Sequence, residues 1–292
     1  MTSRLFAHGH RRDERVQEIE LSAGMIEYED TGGSGPVVVL LHGLAMDGSV
    51  WRHVVRELRT DHRCVVPTLP LGSHRQPMRA DADLSPHGIA RLQAEFLEAL
   101  DLRDVTLVGN DTGHFQFTAG LYPERIARLV LTPCEAFENF PPGLPGRTAE
   151  IGIKLPGGTF LLAQALRVHA LRRLPFTFGW MAKRPVPNEI VDAWLRPAQT
   201  QRGVRRDLSK YVHTLARGDM LAAAECLRRF DRPALVIWAK EDRVMPPEHG
   251  RRFAELLPHG RLIEIADSYT LIPEDQPGAL ARAIRQFIKD TP

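Results

Sequence analysis

The stretch VTLVGNDTGHFQF, residues 105–117, runs from an apolar β-branched segment into Gly109-Asn110-Asp111-Thr112-Gly113. A Gly-x-x-x-Gly turn after a strand is where a nucleophile elbow presents its reactive side chain, flanked by small residues because the turn is tight and strained. Here that side chain is the carboxylate of Asp111. A residue between a parallel strand and a helix N-terminus sits at the carboxyl edge of the sheet, where open α/β folds bind ligands. The helix dipole and free backbone N–H groups favour an anion at that place. A carboxylate nucleophile attacks saturated carbon, as in epoxides or alkyl halides, and leaves an alkyl ester on the protein. The plainer alternative for Asp111 is a helix N-cap.

The elements that must hold this turn are legible in the apolar pattern. VQEIEL and MIEYED alternate around SAG and read as a hairpin. PVVVLLHG, HRCVVPTL, VTLVG, ARLVLTP, PALVIWA and GRLIEIA are short apolar runs of strand type, separated by segments such as SPHGIARLQAEFLEALDL with helical spacing. This alternation predicts an α/β fold with a mainly parallel sheet and helices on both faces. At 136–228 the alternation lapses into helical segments, which predicts a helical cap inserted into a core made of 1–135 and 229–292.

Strand–elbow–helix, preceded by strand-His42-Gly43 and followed by a cap and by WAKEDRVMPP, resembles the α/β-hydrolase superfamily over nearly the whole chain. With Asp at the elbow it is similar to the epoxide hydrolases and haloalkane dehalogenases. The resemblance implies an oxyanion hole from the N–H groups of Thr112 and Leu44. It also implies a histidine that activates water to cleave the ester, and an acid that orients the histidine. Asp242 matches the usual acid position and Glu135, in LTPCEAF, the alternative one.

The histidine is missing. Its segment is IADSYTLIPEDQP, where Thr270 stands at the histidine position with Tyr269 beside it, and 260–292 contains no histidine. Neither hydroxyl is a general base near neutral pH. His114, three residues beyond Asp111, is the substitute nearest in sequence; His42 belongs to the oxyanion loop, His169 and His213 to the cap, and His249 to a later surface helix. Dehalogenases of this kind carry Trp after the nucleophile, and Thr112 argues against that activity. Epoxide hydrolases use cap tyrosines as donors; the cap offers Tyr211, with His213 near it. Trp180, Trp194, Phe115, Phe137 and Phe140 are candidates for an apolar pocket, with Trp180 and Thr270 expected to touch substrate.

The bulk properties exclude other classes. With 38 basic and 36 acidic residues the net charge is +2, so there is no electrostatic footprint for nucleic acid. Three scattered cysteines make neither a disulfide framework nor a zinc site. No stretch reaches the roughly 20 apolar residues that span a bilayer, and the N-terminus has no signal-type apolar core. The expectation is a cytoplasmic, cofactor-independent protein, monomer or homodimer, whose partner is a small organic substrate. Three functions fit: an epoxide-hydrolase-like enzyme, a lyase, cyclase or isomerase using Asp111 as general acid or base, and an inactive ligand-binding protein.

Overall fold

The computed structural model describes residues 16–291; residues 1–15 and 292, expected in the core, lie outside the described residues. Eight strands form one sheet in the order β1-β2-β4-β3-β5-β6-β7-β8. β1 (Val16–Leu21) and β2 (Gly24–Asp30) make the expected antiparallel hairpin, with Ile19 opposite Ile26. The remaining strands, β3 (Val37–Leu41), β4 (Arg63–Pro67), β5 (Val105–Asp111), β6 (Ile126–Cys134), β7 (Ala234–Ala239) and β8 (Gly260–Ile265), run parallel to one another. β5 and β7 are buried along their whole length, which is why both read as unbroken apolar runs.

In the first half of the chain the strands alternate with α1 (Arg52–Leu58), α2 (Pro86–Ala99) and α3 (His114–Leu121). α2 is capped by Ser85, whose Oγ accepts the Gly88 N–H at 3.1 Å, and begins with Pro86. It buries Ile89, Leu92 and Phe96, the i, i+3, i+7 face. Losing that cap as Ser85→Ala costs about 1 kcal/mol.

The helical interval comprises α4 (Gly143–Lys154), α5 (Gly158–Ala165), α6 (His169–Arg172), α7 (Asn188–Thr200), α8 (Arg202–Thr214) and α9 (Asp219–Leu227). α4 packs on α5 and α8, and α7 on α5 and α8, making one cap unit. α9 packs instead against α3, so the last helix of the interval lies in the layer beside the elbow helix. α10 (Pro247–Leu256), α11 (Ile272–Asp275) and α12 (Pro277–Asp290) complete the core; α10 covers β7 and β8, and α12 lies on α1. Among the described residues no helix is long and apolar enough to cross a membrane.

Candidate active site

β5 ends in Asp111, which has φ 71°, a left-handed conformation that a non-glycine residue adopts only under constraint. The Thr112 N–H donates back to the Asn110 carbonyl at 3.0 Å, closing a turn of the strained γ type around Asp111. Such backbone costs on the order of 1–3 kcal/mol and persists where packing enforces it. Two glycines make that packing possible: a Cβ at Gly109 would meet the Phe115 ring, and one at Gly43 would meet the Asp111 carboxylate itself.

The Leu44 N–H donates to Asp111 Oδ2 at 2.9 Å. One carboxylate oxygen is thus fixed on a backbone donor at the end of β3. Burial, only partly offset by the Leu44 bond, pushes the Asp111 carboxyl up to about 6. Of the expected pair of donors, Leu44 faces the carboxylate, whereas the Thr112 N–H is spent inside the turn. His42 shapes this loop from behind. Its Nδ1–H donates to the Gly43 carbonyl at 2.9 Å and its Nε2 accepts the Leu69 N–H at 2.8 Å. Complete burial pushes it down to about 4, so it stays neutral.

The pairing of β5 with β6 brings up the second acid. Asp111 lies opposite Cys134 after a register shift, and the Glu135 N–H donates to the Asp111 carbonyl at 2.8 Å. Glu135 Oε2 accepts the Gly113 N–H at 3.1 Å. Burial and then the charge of Asp111 push its carboxyl up to about 8. Asp111 and Glu135 line one cavity of about 130 Å³ between core and cap and are its only ionisable side chains among the described residues. The rest of the wall is chiefly apolar, including Leu44, Ile153, Leu162, Phe178, Met181 and Val244.

The opposite end of the sheet is different. Asp242 Oδ1 accepts the N–H groups of Val244 and Met245 and the Thr270 hydroxyl, each at 2.9 Å. Its Oδ2 is buried and has no hydrogen-bond partner among the described residues. Burial pushes this carboxyl up to about 7. Thr270 is fully buried, and its carbonyl accepts from Asn110 Nδ2 at 2.9 Å, tying the β8 loop to the elbow. Position 270 therefore touches the acid, as a histidine there would, but neither Asp242 nor Thr270 lines the cavity.

The other expected residues fall in varied places. His114 is completely buried; Gln93 Nε2 donates to its Nδ1 at 2.7 Å and its Nε2–H donates to Thr112 Oγ1 at 2.7 Å. The Thr118 hydroxyl fixes the Gln93 amide by donating to Oε1 at 2.5 Å. Burial pushes His114 down to about 3, both ring nitrogens are engaged, and the ring does not line the cavity. The geometry sets the expected base at 114 off the cavity: the ring does not line its wall, and with Nδ1 held by Gln93 and Nε2–H by Thr112 it takes up no second proton above about pH 3. Tyr211 is buried beside the His114 ring, outside the cavity wall, and its hydroxyl has no hydrogen-bond partner among the described residues. His213 is exposed and bonded to the carbonyl of Ser209 at 2.7 Å, one helical turn back, so its place on α8 turns it away from substrate. His169 is likewise exposed, 3.7 Å from Asp192.

Trp180 stacks outside under Arg243, and its neighbour Phe178 lines the cavity in its stead. Phe115 fills the core under Gly109, Phe140 is buried, and Trp194 is buried with its Nε1–H on Ser49 Oγ at 2.8 Å. Phe137 packs on Phe253 and His249, the latter buried rather than at the surface. Gln93 and Asn110, which fix His114 and the β8 loop, carry no signal in the sequence beyond being polar residues in apolar runs.

A mainly parallel sheet, a strained elbow at the end of β5 and a cap over it define an α/β-hydrolase architecture. Residues 38–283 match the alpha/beta hydrolase family, and the chain belongs to it. It is similar to a haloalkane dehalogenase of Mesorhizobium japonicum, 25% identical over 94% of this chain and 91% of that protein. It is also similar to a cis-3-alkyl-4-alkyloxetan-2-one decarboxylase of Xanthomonas campestris pv. campestris, 29% identical over 91% of this chain and 93% of that one. Among solved structures, a haloalkane dehalogenase loop variant from Bradyrhizobium elkanii superposes with a TM-score of 0.76 at 18% identity, covering 94% and 96% of the two chains. The chain is a hydrolase-fold enzyme related to these proteins.

Proposed function

We infer that the protein opens a small strained cyclic ether, an epoxide, by attack of Asp111 on ring carbon, and hydrolyses the resulting ester. The observation that carries this reading is the placement of Asp111 and Glu135 as the only ionisable groups among the described residues on an apolar cavity, with Leu44 holding one Asp111 oxygen. With Oδ2 fixed, Oδ1 is the attacking atom. Near neutral pH the Asp111 carboxyl, at about 6, is largely ionised while Glu135, at about 8, keeps its proton. The pair is therefore a nucleophile beside an acid.

As the Asp111 Oδ1–carbon bond forms, the ring carbon–oxygen bond breaks and Glu135 gives its proton to the leaving oxygen. Esterification removes the charge of Asp111. Glu135, now a carboxylate, takes a proton from water as the water attacks the ester carbonyl. The Leu44 N–H stabilises the oxyanion on Oδ2. Collapse expels the diol oxygen, which takes the proton back from Glu135. The proton left on Asp111 then returns to Glu135, the more basic carboxylate, and one epoxide and one water have become one diol. Glu135 thereby performs the proton transfers that the family histidine performs elsewhere. None of the four tryptophans lines the cavity, which supports the reading against halide release.

A second reading has its own support. Thr270 stands where the histidine is expected, and one relative is named a decarboxylase of an oxetanone, a four-membered lactone. Conversion of such a ring to an alkene and carbon dioxide consumes no water. A panel of apolar epoxides and β-lactones, with products identified by mass spectrometry, separates the two. Diol from epoxides supports the first reading. Alkene and carbon dioxide from lactones, with inert epoxides, supports the second.

A further inference from the structure

The hairpin of α4 and α5 is apolar on both sides. Its inner face lines the cavity with Ala149, Ile153, Leu162 and Ala163. Its outer face exposes Leu144, Ile151, Leu155, Phe160 and Leu161, with Ile151 62% and Leu161 65% exposed. α5, GTFLLAQA, contains no charged residue. A surface helix of a globular protein ordinarily turns a polar stripe to water, and contiguous exposed apolar surface marks an interaction site. In the segment after α5, Val168 and Phe176 are exposed as well, and Phe176 also lines the cavity, so the cavity reaches solvent beside it.

The charge of segment 143–176 is one-sided. Arg147, Lys154, Arg167 and Arg173 are exposed in it, and its single acid, Glu150, is bonded to Lys154. Arg147, Arg167 and Arg173 have no ion-pair partner among the described residues. Both helices, of 12 and 8 residues, are far too short to span a bilayer. Apolar side chains ringed by unpaired cations are the composition of a helix that lies in the headgroup region of an anionic membrane. Two copies meeting through this face would oppose like charges, which disfavours a cap-to-cap dimer.

We propose that the outer face of α4–α5 docks peripherally on anionic phospholipid bilayers, with the cavity opening at Phe176 turned toward the lipid. Apolar substrate then enters from the membrane rather than from water. The inference does not depend on the reaction that Asp111 performs.

Co-sedimentation of the full chain with vesicles tests it, using phosphatidylcholine alone or mixed with phosphatidylglycerol. Expected is partition onto the mixed vesicles that weakens in high salt. Ile151→Asp with Leu161→Asp, both at exposed positions, lowers it at least about tenfold. Arg147→Gln and Arg173→Gln each lower it roughly fivefold. Absence of binding to the mixed vesicles by folded protein overturns the proposal, as does equal binding by the double Asp variant. A dimer that the double Asp variant dissolves, with no vesicle binding, also overturns it and assigns the face to a second copy.

Discussion

The two carboxylate corners of this site are built alike and equipped differently. At the elbow, Asp111 has one oxygen on the Leu44 N–H, an ionisable neighbour in Glu135, and a cavity in front of it. At the β7–β8 end, Asp242 spends one oxygen on Val244, Met245 and Thr270, and its other oxygen is buried without a partner among the described residues, off the cavity wall. The first corner has a reagent and a place for substrate. The second keeps the frame of a histidine-orienting acid around a threonine. Under the proposed mechanism the chemistry is confined to the elbow, and the far corner contributes packing.

Replacing the elbow carboxylate breaks this contrast most severely. Asp111→Asn is expected to lower turnover at least about 10³-fold, read as initial rates on the best epoxide or lactone of the panel. The same variant should melt higher than wild type at pH 8. The carboxyl, raised to about 6 from 3.8, contributes stability that is lost as pH rises through the folded value. Retention of full rate would remove Asp111 from the chemistry.

Glu135→Gln comes next, with a loss in kcat of about 10²–10⁴-fold. The wild-type pH–rate profile should be a bell, rising as Asp111 ionises near 6 and falling as Glu135 deprotonates near 8, the limbs belonging to the coupled pair. The Gln variant should lose the alkaline limb. An unchanged bell would assign that limb elsewhere.

The elbow was readable because its information is local. Glycines at 109 and 113, an apolar strand before and a helix after are all within one short stretch. Asp242 and the vacancy at Thr270 were equally readable, each being fixed by the strand before it. His114 was not, because its state is set by Gln93 from α2, far away in sequence, and by complete burial. The cavity wall was not either. Whether Trp180 or Phe178 faces substrate depends on the rotation of a single helical turn against the cap, which no periodicity reports.

Restoring the far corner sharpens the comparison from the other side. Thr270→His should leave ester hydrolysis within about threefold of the wild-type rate, because position 270 does not line the cavity. Overpacking at this fully buried site should cost about 1–3 kcal/mol. Rapid-quench measurement of the acyl step reads the first, and chemical denaturation the second. A gain of about tenfold or more would show that the corner still opens to the site and would contradict the contrast.

The smallest effect belongs to Asp242→Asn. Turnover should change less than about threefold, since the residue lies outside the cavity wall. Its carboxyl is raised to about 7, so wild-type stability should decline between pH 5 and pH 8, and the Asn variant should decline less. Parallel melting curves across that range would contradict the assignment.

A single turnover in ¹⁸O-labelled water, followed by mass analysis of the peptide that carries Asp111, tests the central claim most directly. The account predicts either a substrate-mass ester on Asp111 or, once the ester has been hydrolysed, one labelled oxygen in its carboxylate. An unmodified Asp111 alongside a diol labelled in the first turnover would contradict it.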